Sequence, residues 1–159
     1  MQHQVIAELI LSTWPDLTEE QLQLIIDNIN VKEIKKNCVI YDAGDLPEQL
    51  AFIIEGKVKI YKNTPGNRCQ ILRIAKKGDF FGYRAHLVGE HHSSSASAFE
   101  NCTLALIPLH VLDRLIRENY NVTMYIIKVL ARQLGKSDQR TIDHTQKHLR
   151  GRLAECLLL

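Results

Sequence analysis

The stretch from Phe80 to Phe99 contains the residues of this chain best suited to binding an anion. It reads FFGYRAHLVGEHHSSSASAF, with one arginine, Arg84, shortly after an aromatic–glycine turn. A histidine pair and a row of serines come after Gly89. Guanidinium, imidazole and hydroxyl groups can donate hydrogen bonds to an anion, as can backbone N–H groups at a helix start. The stretch therefore predicts a pocket for an anionic ligand, or the remains of such a pocket.

A metal site is the weaker interpretation of the three histidines in this region, His86, His91 and His92. Adjacent histidines in a predicted loop more often face solvent than bind a metal. Four cysteines are scattered along the chain without a C-x-x-C pair: Cys38, Cys69, Cys102 and Cys156. This spacing favours reduced thiols over a zinc or iron–sulfur site. The sequence also contains no paired-carboxylate, nucleophile–base or P-loop motif, so an enzyme is not expected.

Length and composition fit a single globular domain. The 159 residues are 45% hydrophobic and 24% charged, and the formal net charge of +2 does not by itself indicate nucleic-acid binding. No apolar run is long enough to span a bilayer, so no membrane segment is expected. The N-terminal segment has Glu8 within its apolar stretch and no basic leader. It does not resemble a signal peptide, and we expect a cytoplasmic protein.

Helices are predicted on both sides of a β-rich region. In the N-terminal helical segment, Thr18 and Gln21 form a capping box ahead of apolar residues at helical spacing. From Val31 to Ile107, glycines punctuate five short β-prone runs: Lys36–Tyr41, Leu50–Ile54, Lys57–Lys62, Gln70–Ile74 and Thr103–Ile107. Short strands at regular spacing are typical of an antiparallel roll or sandwich. The sequence thus predicts a mainly β fold with flanking helices.

Two further helices are predicted after Pro108. The first is short and ends near Asn119, and the second runs from about Val122 to His144. Residues of the second helix recur at alternating steps of three and four, the spacing of a coiled-coil seam: Ile127, Leu130, Leu134, Ser137, Thr141 and His144. We therefore expect this helix to pair two copies of the chain. A new amphipathic helix is expected to start at Leu149.

Five segments in this order resemble the Crp/Fnr family of bacterial transcription regulators. Three lie in the β-rich region: VIYDAGD at Val39–Asp45, AFIIEGKVKIY at Ala51–Tyr61 and GDFFG at Gly78–Gly82. The predicted long helix resembles the family's dimerisation helix. The segment Arg152–Leu158 resembles the R-x-A-x-x-L-L core in the first helix of the family's DNA-binding domain. The resemblance covers nearly the whole chain.

The resemblance implies a double-stranded β-roll, which is jelly-roll-like and of the cyclic-nucleotide-binding-domain type, followed by a long dimerisation helix. It divides the chain into an N-terminal helical segment (1–30), an effector-binding roll (31–118), a dimerisation helix (119–146) and the incomplete start of a DNA-binding domain (147–159). The full-length protein is expected to be a homodimer that binds DNA, with RNA polymerase as a candidate partner. The helix-turn-helix would come after the last residue, so this chain alone is not expected to bind DNA specifically.

The resemblance also assigns candidate effector-binding residues. In nucleotide-binding members a glutamate accepts a hydrogen bond from the ribose, and an arginine neutralises the cyclic phosphate. The matching positions here are Tyr83 and His92, so cyclic AMP is not expected to bind in the usual way. The candidate lining is rich in hydrogen-bond donors and small residues: Gly82, Tyr83, Arg84, Ala85, His92, Ser93 and Ser94. This lining suits a small anion other than cyclic AMP, or no ligand. Arg84 and a protonated His92 would be its cations, unless Arg84 is a solvated surface residue.

A second ligand surface is implied on the long helix, where family members contact a purine base from both protomers. The matching residues are Ser137 and Asp138, and the carboxylate of Asp138 departs from the small hydroxyl residues of the family. An ordinary surface position near Arg140 is an equal alternative for Asp138. The sequence indicates no cofactor beyond a small anionic effector.

These features favour the effector-sensing and dimerising region of a Crp/Fnr-type transcription regulator. The alternative is a cyclic-nucleotide-binding module that controls a target other than DNA, such as a kinase or a channel. The pattern after His148 favours the regulator, because a long helix leading into R-x-A-x-x-L-L is the arrangement of that family.

Overall fold

A computed structural model describes the backbone of residues 2–157, and the side chains of these residues apart from 2, 144, 147–152 and 154–157. The chain divides into two units, Met1–Asn119 and Tyr120–Leu159. The described elements of the first unit are α1 (Gln2–Thr13), α2 (Glu19–Asn28), β1 (Asn30–Ile34), β2 (Val39–Tyr41), β3 (Gln49–Glu55), β4 (Lys57–Thr64), β5 (Arg68–Lys76), β6 (Phe80–Phe81), α3 (Arg84–Val88), β7 (Ser95–Ala98), β8 (Cys102–Pro108) and α4 (Leu109–Glu118). The second unit contains α5 (Tyr120–Leu157).

The strands form two antiparallel four-stranded sheets. One has the order β1-β8-β3-β6 and the other β2-β7-β4-β5. Buried side chains from both sheets meet in one core cluster, which includes Ile53 and Leu104 of the first sheet and Val58 and Ala96 of the second. The predicted mainly β fold with flanking helices is therefore confirmed.

Helices cover the other face of the first sheet. Strand β3 is buried on both faces, because Ala51 and Ile53 join the core cluster while Phe52 contacts the ring of Trp14, which directly follows α1. The Trp14 ring also lies 5.4 Å from that of Phe80 in β6, measured between centroids. Burial on both faces explains why β3 is continuously apolar instead of alternating.

The five predicted strand runs all overlap observed strands, but three strands are missed. The run Lys36–Tyr41 shortens to β2, because residues 36–37 form a turn in which Asn37 has a φ of 69°. The missed strands are β1, β6 and β7. Strand β7 consists of serine and alanine, which have little preference for strands, and its burial between neighbouring strands decides its conformation. The capping box before α2 is confirmed, since Gln21 N donates to Thr18 Oγ1 at 3.2 Å.

Helix α5 is a single element of 38 residues. The predicted helix from about Val122 to His144 is confirmed but extends further at both ends. The prediction of a new helix from Leu149 is wrong, because α5 continues through that position to Leu157. The sequence has no proline after Pro108, and a glycine costs a helix only about 1 kcal/mol, which is too little to end it. The assignment of residues 147–159 to a DNA-binding domain stays a prediction.

Candidate effector-binding site

A cavity of about 300 Å³, which we call the arginine cavity, opens beside β6 and α3. The structure brings together around it seven of the predicted site residues: Gly82, Tyr83, Arg84, Ala85, His92, Ser93 and Ser94. The remaining lining residues are Tyr41, Ile60, Arg73, Phe81, Val88, Glu90 and His91. The stretch predicted to form a pocket therefore does form the wall of one, joined by residues from β2, β4 and β5.

The turn at Gly82 shapes this wall. Gly82 has a φ of 86°, which L-residues with side chains rarely adopt. A Cβ atom at this position would lie 3.0 Å from the backbone oxygen of Gln49 in β3. The chain can therefore turn from β6 into α3 so close to β3 only with glycine at this position. Helix α3 ends at Gly89, whose φ of 72° is the left-handed helix cap.

Two arginines supply the positive charge of the cavity. Arg84 is exposed at the start of α3, while the half-buried Arg73 lies on β5 opposite Ile60 of β4. Both are near the Tyr41 hydroxyl. Burial raises the pKa of Tyr41 to about 12, and the guanidiniums of Arg73 and Arg84 oppose that rise. Sequence reasoning missed Arg73, although a lone charge within the apolar run ILRIA was an available signal.

His92 and Tyr41 form a parallel stack on one side of the cavity. Their ring centroids are 3.8 Å apart and their planes differ by 10°. The backbone of His92 is held from both sides, since His92 N donates to Asp45 O at 2.9 Å and Gly44 N donates to His92 O at 2.7 Å. His92 is only 8% exposed, and burial lowers its pKa despite the opposing charge of Asp45. Burial therefore disfavours the protonated form of His92 that the sequence analysis considered.

Tyr83 differs in chemistry from the glutamate that nucleotide-binding family members carry at the same place. Its side chain is fully buried, and its ring lies 5.0 Å from that of Phe80 between centroids. An aromatic side chain held in this way provides no carboxylate to accept from a ribose hydroxyl. Ser93 is exposed and Ser94 half-buried at the cavity wall. The serines beyond them belong to β7 and are buried in the sheet.

The three histidines of the region have separate partners and do not converge. His86 Nε2 lies 2.7 Å from Asp113 Oδ1, which links α3 to α4. His91 Nδ1 lies 2.7 Å from Gly44 O, and His92 stacks on Tyr41. Among the residues that the structure describes, no group of three His, Cys, Asp or Glu side chains is placed to hold a metal ion.

A second cavity, of about 510 Å³, lies against strands of both sheets. Its apolar lining comprises Ile34, Val39, Ile40, Leu46, Ala51, Leu104 and Leu106, and its polar lining Lys32, Asp45, Glu48 and Gln49. Tyr41 and His92 line it as well as the arginine cavity. The stacked rings therefore stand at the boundary between the two cavities. Sequence reasoning did not predict this second space.

The remaining predicted site residues lie on α5, in the other unit. Ser137 and Asp138 are exposed there, as is Thr141, whose hydroxyl donates to Ser137 O at 3.1 Å. Along the predicted seam, Ile127 is 50% exposed, Leu134 is 64% exposed and Leu130 is half-buried. The side chain of His144, also assigned to the seam, lies outside the described residues.

Comparison with known proteins identifies the domain that contains these cavities. The family model of the cyclic nucleotide-binding domain matches residues 31–119, more than half of the chain. This chain belongs to the cyclic nucleotide-binding domain family. The match covers all the described strands in full, apart from the first residue of β1. It also includes the lining residues of both cavities. Within the family, the predicted resemblance to Crp/Fnr regulators is confirmed.

Relatives of this domain occur in two functional settings. The chain is 26% identical over 150 residues to the cAMP-activated global transcriptional regulator CRP of Pasteurella multocida, covering 93% of this chain and 71% of the regulator. It is 28% identical to cGMP-dependent protein kinase 2 of Mus musculus, covering 91% of this chain but only 16% of the kinase.

A solved structure with the same fold is the sensor domain of the transcriptional regulator DNR from Pseudomonas aeruginosa. It aligns with a TM-score of 0.74 and 20% identity, over 86% of this chain and 93% of that one. At this identity the alignment shows the fold alone. Within residues 2–157 of the present chain, no helix combines the length and apolar character needed to cross a membrane.

Proposed function

We propose that this chain is the effector-sensing and dimerising region of a Crp/Fnr-type DNA-binding transcription regulator that acts in the cytoplasm. One observation carries the proposal: the roll is followed by a single long helix, α5, with exposed apolar residues at coiled-coil spacing. Similarity over 93% of the chain to a cAMP-activated global transcriptional regulator supports it. In the full-length protein a helix-turn-helix would contact DNA, with RNA polymerase as a candidate further partner.

The proposed dimer forms through α5. Ile127 and Leu134 are half or more exposed in the single chain, and Leu130 lies between them at the same spacing. Pairing two parallel copies would remove this apolar surface from water, the main favourable term in such association. Ser137 and Thr141 would continue the interface as its polar half.

The proposed effector is a small anion that binds in the arginine cavity. Arg73 and Arg84 give this cavity two guanidiniums against one carboxylate, that of Glu90. Cyclic AMP would lack its usual anchors, since Tyr83 replaces the sugar-binding glutamate and His92, whose pKa is lowered by burial, replaces the phosphate-binding arginine. A charge-assisted pair contributes about 1.5–3 kcal/mol, so affinity would fall by a factor of several hundred or more when both anchors are lost.

Effector binding would act on α5 through α3 and α4. The His86–Asp113 contact of 2.7 Å joins α3, at the cavity, to α4. Helix α4 ends at Glu118, two residues before α5 begins at Tyr120. A shift of α3 on binding would therefore reach the start of the dimerisation helix over a short path. Such a coupling between two sites is the basis of an allosteric switch.

The full-length protein tests the regulator function. It should bind as a dimer to a two-fold symmetric DNA site, while residues 1–159 alone should show no sequence-specific binding, because the proposed recognition helix lies outside them. Specific, salt-resistant binding by the 159-residue chain alone would contradict this division of roles.

Calorimetry tests the proposed departure from cyclic-nucleotide recognition. Titration of the 159-residue chain with cyclic AMP and with cyclic GMP should give no micromolar affinity. A micromolar dissociation constant for either would show that Arg73 or Arg84 has replaced the missing arginine. Arg84→Gln, with Arg68→Gln on β5 as the control outside the cavity lining, would then identify the residue.

The second candidate function is a cyclic-nucleotide-binding module that regulates a protein other than a DNA-binding domain. The similarity to a cGMP-dependent protein kinase over 91% of this chain favours it. The two candidates differ in the domain that the complete protein carries after its long helix. A full-length protein that binds no DNA but changes the activity of an attached kinase or channel would establish this alternative.

A further inference from the structure

The arginine cavity and the second cavity have opposite chemical character. In the arginine cavity, Arg73 and Arg84 outnumber the single carboxylate of Glu90. In the second cavity, Asp45 and Glu48 outnumber Lys32, and apolar side chains from both sheets form the rest of the wall. An anionic group is therefore favoured in the first cavity and disfavoured in the second, whose apolar wall suits a hydrocarbon.

Two aromatic rings stand at the boundary of the two spaces. Tyr41 and His92 line both cavities and stack at 3.8 Å. The backbone of His92 is fixed by its bonds to Gly44 and Asp45. The imidazole ring itself stacks on Tyr41, and the charge of Asp45 acts on it. Rotation of the His92 side chain about χ1 would therefore connect the cavities without moving the backbone.

We propose that the effector of this domain is an amphipathic organic anion whose head pairs with Arg73 and Arg84 and whose hydrocarbon body passes between Tyr41 and His92 into the second cavity. This inference rests on the proposed effector-sensing function and specifies its ligand. Cavities of about 300 and 510 Å³ together are within the range of roughly 300–1,000 Å³ that is usual for small-molecule sites. The anionic head binds in the arginine cavity, beside α3. The hydrocarbon body displaces the His92 ring where it enters the second cavity.

Chain length is the first test. Calorimetry on the 159-residue chain compares inorganic phosphate, butyrate and decanoate below its micellar concentration. Each buried methylene strengthens binding by up to about fourfold, so decanoate should bind about a hundredfold or more tighter than butyrate. Equal affinity for the two carboxylates would overturn the proposal. If phosphate and butyrate then still bound through the arginines, the proposed effector-sensing function would stand without it.

Matched variants locate the two ends of the ligand. Val39→Glu places a carboxylate at the second cavity and should weaken decanoate at least about tenfold while leaving butyrate unchanged. Val5→Glu on α1 is the control, because Val5 is exposed to the same extent as Val39 and lines neither cavity. Arg73→Gln should weaken both ligands, and Arg68→Gln on the same strand should weaken neither. Decanoate binding that is insensitive to Val39→Glu, or equally sensitive to Val5→Glu, would place the hydrocarbon elsewhere and overturn the proposal.

Removal of the His92 ring tests the passage itself. His92→Ala takes away the stack that the hydrocarbon has to displace, so the ratio of decanoate affinity to butyrate affinity should rise at least about threefold. Thermal unfolding of the variant confirms that it folds. Weaker decanoate binding by a folded His92→Ala variant would show that the body does not pass between these rings.

Discussion

Apolar side chains are buried in the roll but exposed on the long helix. Phe52, Ile53 and Leu104 are completely buried, since two sheets and a layer of helices enclose them within one chain. On α5, by contrast, Ile127 and Leu134 are exposed by half or more. A pair of facing sheets can enclose its own core, whereas a single helix cannot cover its own apolar stripe. The same residue type therefore stabilises the fold in one region and remains exposed to solvent in the other.

The largest effect on stability is expected in β3, the strand that is buried on both faces. Phe52→Ala removes a fully buried ring that contacts Trp14, and should lower the free energy of unfolding by about 3–5 kcal/mol. Phe99→Ala is the matched control, because Phe99 is nearly half exposed and should matter little. Chemical denaturation measures both. Similar losses in the two variants would show that the roll does not depend on this core, and the comparison with α5 would fail.

The next effect concerns association and not folding. Burying Leu134 in a dimer would contribute about 1.5–3 kcal/mol on each side, so Leu134→Glu should yield monomers in light scattering with the melting temperature of the roll unchanged. Ile142→Glu is the control on the same helix, since Ile142 is exposed but falls outside the predicted seam. If Leu134→Glu stays dimeric at micromolar concentration, a different surface makes the dimer.

A smaller effect is expected at the turn that forms the cavity wall. Gly82→Ala and Gly66→Ala both place a side chain at positive φ, which costs about 1–2 kcal/mol. Only at position 82 would the new Cβ also meet backbone, 3.0 Å from Gln49 O, while position 66 is open. Gly82→Ala should therefore be the more destabilising of the two in thermal unfolding. Equal losses would mean that β3 adjusts easily, and that the roll is less rigid beside the arginine cavity than in its core.

The smallest effect is a dependence of roll stability on pH. Burial lowers the pKa of His92, so the folded roll holds a neutral imidazole, while the unfolded chain takes up a proton near pH 6.5. Just below the unfolded pKa the unfolded state binds more protons than the folded state, so stability should fall as the pH drops through about 6.5. In the His92→Gln variant, the melting temperature should depend less on pH in this range. His91→Gln, which changes the exposed neighbour, should retain this dependence on pH. Parallel plots of melting temperature against pH for the wild type and His92→Gln would contradict a lowered pKa at His92.

Much of this architecture is determined by local sequence. The Thr18–Gln21 capping box sets the start of α2, and the alternation from Lys57 to Ile60 sets a half-exposed strand, because both depend on residues a few positions apart. The stretch after Phe81 was likewise predicted as a pocket wall, since its glycines and donors are adjacent in sequence. Strand β7 was missed, because serine and alanine have no local preference that reveals burial between two strands.

The tertiary structure alone decided the chemistry of the site. Arg73 lies more than ten positions from Arg84 along the chain and reaches the same cavity only because β5 pairs with β4 beside β7. Burial lowers the pKa of His92, and its ring stacks on Tyr41, which lies on β2 and is far from His92 along the chain. The second cavity is lined by residues from strands of both sheets, which only the tertiary structure brings together. The residue types along the chain specify which side chains can bind an anion. The pairing of distant strands decides which of these side chains share a cavity, because burial and charge at one point in space depend on segments that are far apart along the chain.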